Sequence, residues 1–245
     1  MRKIDMRPRE IRVRDLLLNA LTFSSGAIDA ISFIALGKVF TAFMTGNIAF
    51  LGLRLAGAGG PGWVAIMVAM AAFSVGVYFG TEVVKPRGHT GAGVWPHRVT
   101  SALGLSLLGH AGFLVLWFAF HGHPSNDVAH ILLGLWAFAM GMQSAAVRSL
   151  HVDGVFTTAA TATFIFLMGH FANWSDSAEE RRRLWGVLIF LFLGALAGGL
   201  LLVHAHIYAP VLPFVATVLV VATAAIAFRN RGAAKNDAGQ NRSFA

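Results

Sequence analysis

The sequence predicts an all-α fold: a polytopic transmembrane helical bundle with six crossings plus two re-entrant or broken helices, organised as an antiparallel internal repeat. Three observations predict it. First, 56% of the 245 residues are hydrophobic and only 12% charged, with a mean hydropathy of +0.67, whereas soluble domains carry about 25% charge. The apolar residues also lie in runs of about 18 to 23, the length a helix needs to cross a hydrocarbon core of about 30 Å. Second, the basic residues gather at the edges of those runs. Third, two of the runs repeat each other. An ordinary soluble enzyme is excluded, because so little charge cannot coat a water-facing surface.

Taken in order, residues 1–15 form a basic segment with Arg2, Lys3, Arg7, Arg9, Arg12 and Arg14, expected on the cytoplasmic side. The first apolar segment, Leu16 to Leu36, holds Asn19, Ser24, Ser25 and Asp29 and has no clear small-residue cleavage site. It reads as a retained span rather than a removed signal peptide. The next is Val39 to Leu55, and the sixth is Val155 to Ala172. Trp63 to Val84, Ala102 to Phe120, Val128 to Val147, Leu184 to Val203 and Val211 to Phe228 complete a transmembrane domain over 16–228, in halves of about 16–120 and 128–228. The polar stretch 229–245 is expected to be a disordered cytoplasmic tail. Trp63, Trp95, Trp117, Trp174 and Trp185 fall near segment ends and are expected to anchor at the interface.

Charge placement decides how many segments cross. Short cytoplasmic loops collect Lys and Arg. If all eight segments crossed, the connector with Lys85, Arg87 and Arg98 would lie outside, the wrong side. If the second and sixth dip in and return, 17 of the 19 basic residues become cytoplasmic, and only Lys38 and Arg54 stay outside. Those two segments also carry an unusual polar load: Thr41, Thr45 and Asn47 in one, and Thr157, Thr158, Thr161 and Thr163 in the other. Non-spanning backbone survives at membrane depth only when buried in protein or lining a cavity.

The same two segments align at an offset of 116. VFTAFMTGNIAFL from Val39 and VFTTAATATFIFL from Val155 share six of thirteen positions, where about one is expected by chance. Gly76-x-x-x-Gly80 and Gly194-x-x-x-Gly198 match at an offset of 118; small residues at this spacing let two helices approach closely. Three crossings per half make the second half enter from the opposite side, an arrangement shared by many secondary transporters.

The chain resembles the YoaK family of bacterial membrane proteins, an uncharacterised family. The resemblance rests on Gly26-Ala-Ile-Asp29-Ala-Ile-Ser-Phe33, Phe40 and Met44-Thr45-Gly46-Asn47 in the first half. In the second it rests on Gly141-Met-Gln143-Ser144-Ala145, Arg148, Thr157-Thr158 and Thr161. At Ser144 and Ala162 the chain departs from the family pattern, which has Asn and Gly there. The resemblance covers about Leu16 to Phe228 and implies a multi-pass protein of the bacterial inner membrane; it supplies no substrate.

Asp29 lies inside the first span, where an ionised carboxylate costs about 2.5 to 3.5 kcal/mol on insertion scales. It reads either as a cation or proton site facing a cavity, or as a hydrogen-bonded structural carboxyl, with Arg148 as a candidate partner. Thr41, Thr45, Gly46, Asn47, Gln143, Thr157, Thr158 and Thr161 join it as candidate substrate-binding residues. Thr45 and Asn47 offer donors and acceptors either to a solute or to freed backbone groups. The expected function is a transporter or channel-like protein for an unidentified small solute, its midplane site formed by Asp29 and the two polar segments. The alternative is a non-transporting accessory protein or an intramembrane enzyme. No enzyme is expected, since Asp29 is the one acid deep in a span. His121, His123, His130, His204 and His206 gather at the predicted outer face without a ligand spacing, so neither a metal nor a cofactor is expected. The absence of Cys removes disulfides and thiolate chemistry. The expected partners are the lipid bilayer and the solute, with self-association into a homo-oligomer left open. The basic residues lack interleaved aromatics, so nucleic acid is not among the partners.

Overall fold

The computed structural model describes residues 8–86, 93–155, 157–158, 160–172 and 178–228, without the side chains of 170–172. The expectations for Arg2, Lys3, Arg7, Arg87, Phe156, Trp174 and the stretch 229–245 lie outside the described residues. Among the described residues there are eight α-helices and no strand: α1 (Pro8–Ala35), α2 (Met44–Leu55), α3 (Trp63–Val84), α4 (His97–Ala119), α5 (Asn126–Arg148), α6 (Ala160–Ala172), α7 (Ala178–His204) and α8 (Val211–Ala227). A 3-10 turn, His206–Tyr208, leads into α8. Six helices are long and apolar enough to span a membrane. α2 and α6 have 12 and 13 residues, about 18 to 20 Å of helix, too short for a core of about 30 Å.

Several helices begin before their apolar runs do. α1 starts at Pro8, where a missing N–H costs nothing in the first turn. Glu179 and Glu180 occupy the first turn of α7, where negative charge suits the helix dipole. α2 starts later than its apolar run, at Met44, because the preceding residues 39–43 return beside α1 as bent, irregular backbone.

Two apolar cores mark the ends of the bundle and fix the direction of each helix. One contains Ile28 and Ile31 of α1, Ala65 and Ile66 of α3, Trp117 of α4, Leu132 and Trp136 of α5 and Leu202 of α7. The other contains Leu17 and Leu21 of α1, Val99 and Leu103 of α4, Ala146 of α5, Leu184 of α7 and Val220 of α8. Hence α1, α4 and α7 run one way, and α3, α5 and α8 the other. α2 therefore leaves and returns at the first end. α6, whose Leu167 sits in the second core, does so at the second end. The described basic residues Arg9, Arg12, Arg14, Lys85, Arg98, Arg148 and Arg181 to Arg183 follow the second end, and Lys38 and Arg54 the first.

α1 packs along α7 and α3 along α5, the two largest contacts in the bundle. Their close points correspond. A Cβ added at Gly76 would meet the Phe138 backbone, and one at Gly194 would meet that of Phe23; one at Gly26 would meet Leu191, and one at Gly141 would meet Phe73. Gly194 thus stands to Gly76 as Leu191 does to Phe73, and Gly141 to Gly26 as Phe138 does to Phe23.

The tryptophans correct one expectation. Trp63 and Trp185 are exposed, but Trp95 and Trp117 are buried in the protein. Each satisfies its indole N–H inside: Trp95 Nε1 donates to Thr100 Oγ1 at 2.9 Å, and Trp117 Nε1 to the Ile207 carbonyl at 3.1 Å. Once that donor is paired, the ring behaves as a large core group.

Candidate functional site

The first break is built by a reversal at the end of α1. Gly37 and Lys38 adopt left-handed backbone conformations, φ 97° and 64°, and turn the chain back along the helix it has just left. Ser32 Oγ donates to the Val39 carbonyl at 3.1 Å. Asp29 Oδ1 then accepts three hydrogen bonds, from Thr41 N at 2.7 Å, Thr41 Oγ1 at 2.8 Å and Ala42 N at 3.0 Å. Thr41 has therefore returned to a level six residues back from the end of α1, about 9 Å of helix.

Asn47, in the first turn of α2, closes the same segment. Its Nδ2 donates to the Phe40 carbonyl at 2.7 Å, and its Oδ1 accepts from Phe40 N at 3.1 Å. The Phe40 ring stacks on Phe33, centroids 4.9 Å apart, and fills the space beside Gly46, where a Cβ would lie 3.2 Å from it. One acid and one amide thus satisfy backbone groups that a broken helix leaves open. The end of α2 at this depth is its N-terminus, the positive end of the helix dipole.

In the second half, Gln143 of α5 is buried. Its Nε2 donates to Ser25 Oγ at 3.0 Å and lies 3.4 Å from both the Leu21 carbonyl and Thr157 Oγ1. The neighbouring Ser144 hydroxyl lies 2.9 Å from that of Thr158. Ser25 and Asp29 are four residues apart on one face of α1, about 6 Å along its axis. Thr41, Asp29, Ser25, Gln143 and Thr157 therefore form a polar seam across the α1–α5 contact, linking the chain before α2 to the chain before α6.

Of the candidate residues, Asp29, Thr41, Asn47, Gln143, Thr157 and Thr158 lie on or beside this seam, and Gly46 supports it through Phe40. Thr45 and Thr161 are exposed at the starts of α2 and α6 and stand apart from it. Arg148 is exposed at the end of α5, and no ion pair joins it to Asp29 among the described residues. Asp29 is held by backbone amides and a hydroxyl instead.

Two further buried polar groups were not singled out from sequence. Ser24 bonds across to α8, 3.0 Å from Thr217 Oγ1 and 3.1 Å from the Pro213 carbonyl. His110 of α4 is buried with neither ring nitrogen partnered; an imidazole in mid-span was the available signal. Asp29 Oδ2, Gln143 Oε1 and Thr163 Oγ1 are likewise buried without a hydrogen-bond partner.

Comparison with known proteins comes to the same class of molecule. A family model described as "Protein of unknown function (DUF1275)" matches residues 17–225. A relative, the UPF0700 transmembrane protein YoaK of Bacillus subtilis (strain 168), is 33% identical over 155 residues, 63% of this chain and 66% of that protein. The matched region thus spans just under two thirds of the relative's length. No solved structure matches.

Proposed function

The chain belongs to the DUF1275 family and is a multi-pass membrane protein, and on that premise we propose that it passes a small solute through a midplane site at the α1–α5 seam. The observation that carries this reading is the pair of buried, unpartnered acceptors on the seam itself, Asp29 Oδ2 and Gln143 Oε1. A buried polar atom left dry costs about 1–3 kcal/mol, so two on one seam call for water or solute. Both are obligate acceptors. They suit a cation, a proton or a solute rich in hydrogen-bond donors.

The architecture supports the same reading. Two short helices enter from opposite ends, each with its N-terminus at depth, and the glycine contacts of α1–α7 and α3–α5 exchange when α3 is matched to α7 and α1 to α5. We read this as an inverted duplication, the plan of many transporters whose sites lie where discontinuous helices meet. The basic end of the bundle is then cytoplasmic, in the bacterial inner membrane, with both termini on that side. Passage is preferred to catalysis because Asp29 has no second acid beside it among the described residues, and the one hydroxyl it holds, Thr41 Oγ1, is spent on the carboxylate together with two backbone amides.

The test is flux. Full-length protein is reconstituted into vesicles loaded with a pH-reporting dye and challenged with imposed ion gradients and a panel of small polar solutes. Wild type should move at least one species faster than protein-free vesicles, and Asp29→Asn, which keeps the shape and the Oδ1 acceptor, should abolish the excess. Wild-type rates equal to those of bare vesicles, or an Asp29→Asn rate equal to wild type, would leave the seam a structural joint of a non-transporting accessory protein.

A further inference from the structure

Away from the seam, a cleft of about 710 Å³ opens between α1 and α7 at the basic end of the bundle. We propose that it is a binding site for an anionic phospholipid, with the headgroup phosphate held by Arg12, Arg182 and Arg183 and an acyl chain lying along Leu16 and Ile189.

Charge is the first argument. The three arginines line the cleft together with two acids, Asp15 and Glu179. Asp15 is already engaged by Arg14, whose Nη2 and Nε donate to it at 2.7 and 2.9 Å. Among the described residues no ion pair joins Arg12 or Arg182 to an acid. Arg183 lies 4.0 Å from Glu180, a long contact that leaves hydrogen-bonding capacity on its guanidinium. The balance is positive, and guanidinium forks match phosphate oxygens in pairs.

The second argument is unfinished hydrogen bonding. Arg183 Nε and Asn19 Oδ1 are both buried without a partner, one a donor and one an acceptor. A phosphate oxygen completes the first; a hydroxyl on the headgroup completes the second. Asn19 sits against Gly186, where a Cβ would come within 2.9 Å of its amide. The absent side chain thus leaves room for the amide at the floor of the cleft.

The third argument is position. Leu16, Trp185 and Ile189 line the cleft and are exposed large hydrophobics, so its apolar wall runs into the surface that faces lipid. Trp185 sits near the start of α7, the depth at which indoles anchor among headgroups. A free phosphate would use the arginines and leave this wall idle. A phospholipid uses both, and basic pockets between helices at a membrane edge bind such headgroups.

Full-length protein in mixed micelles of phosphatidylglycerol and phosphatidylcholine tests this, with native mass spectrometry reading which lipid stays bound. Phosphatidylglycerol, which is net negative, should be retained over phosphatidylcholine, whose choline cation offsets the same phosphate beside the arginines, by about fivefold for each arginine at the headgroup, and excess inorganic phosphate should not displace it. The triple variant R12Q/R182Q/R183Q should lose the preference. Raising salt on wild type from about 0.1 M to about 1 M, which shortens the Debye length from about 10 to about 3 Å, should weaken it without any substitution. Equal retention of the two lipids would overturn the proposal, as would a preference untouched by salt or by the triple variant. Displacement by inorganic phosphate would make it a free-anion site instead.

Discussion

Gln143 of α5 and Ser25 of α1 meet at 3.0 Å, a side-chain to side-chain hydrogen bond that joins the two halves where these helices touch. The amide also lies 3.4 Å from Thr157 Oγ1, so a single side chain joins a span of the first half to the break of the second.

That contact is measurable as a coupling. Gln143→Leu and Ser25→Ala each remove one side of it, and the freed Ser25 hydroxyl can fall back on the carbonyl one turn earlier. Interhelical hydrogen bonds of this kind are worth about 0.6 kcal/mol on average, and up to about 1.7, in membrane proteins. A double-mutant cycle read by unfolding in detergent should return a coupling in that range. A coupling of zero would mean that the two side chains act independently and that the seam is interrupted at this point.

Much of this arrangement was legible in the sequence, and the parts that were not share a physical cause. The two breaks announced themselves because Thr41, Asn47, Thr157 and Thr158 are polar groups in apolar runs, which demand an explanation in lipid. The glycines at 76, 80, 194 and 198 were visible as packing positions. Their partners were not, because an offset within the chain says nothing about which helix lies opposite. Asp29 could be placed inside a span, but its ligands, Thr41 and Ala42, depend on the reversal at Gly37 and Lys38, a local backbone event without a hydropathy signature. Gln143 was visible as a polar residue deep in a span, but its partner Ser25 was an ordinary polar residue until the fold brought the two together. The helical turns of α1 before Leu16 were hidden because the apolar run begins there, while helical hydrogen bonding already runs through the charged turns.

The paired glycine contacts predict paired costs. A Cβ at Gly80 would lie 2.9 Å from Met142 Cα, and one at Gly198 would lie 2.8 Å from Ala27 Cα. In both cases the obstacle is backbone, which cannot swing away. Gly80→Ala and Gly198→Ala should each destabilise by about 1–3 kcal/mol from overpacking, reduced by up to about 1 kcal/mol of regained helix propensity. Gly199→Ala, with nothing within 4 Å, keeps only the gain. Thermal unfolding should thus rank Gly199→Ala at or above wild type and place the other two below it by similar amounts. A large loss at one of the pair and none at the other would show that the two interfaces do not correspond.

The return of α2 and α6 to their own ends of the bundle predicts a labelling pattern that full crossings cannot produce. Lys38 and Ala58 flank α2, His151 and Ala178 flank α6, and all four are exposed. The chain has no cysteine, so single substitutions Lys38→Cys, Ala58→Cys, His151→Cys and Ala178→Cys carry no background. In sealed vesicles of one orientation, a membrane-impermeant maleimide should reach the sites at 38 and 58 from one face, and those at 151 and 178 only from the other. A helix that crossed would put its two flanking sites on opposite faces. Labelling of 38 and 58 from opposite sides, or of 151 and 178 likewise, would restore a full span. It would also remove the inverted arrangement on which the proposed midplane site depends, since three crossings per half are what turn the second half over.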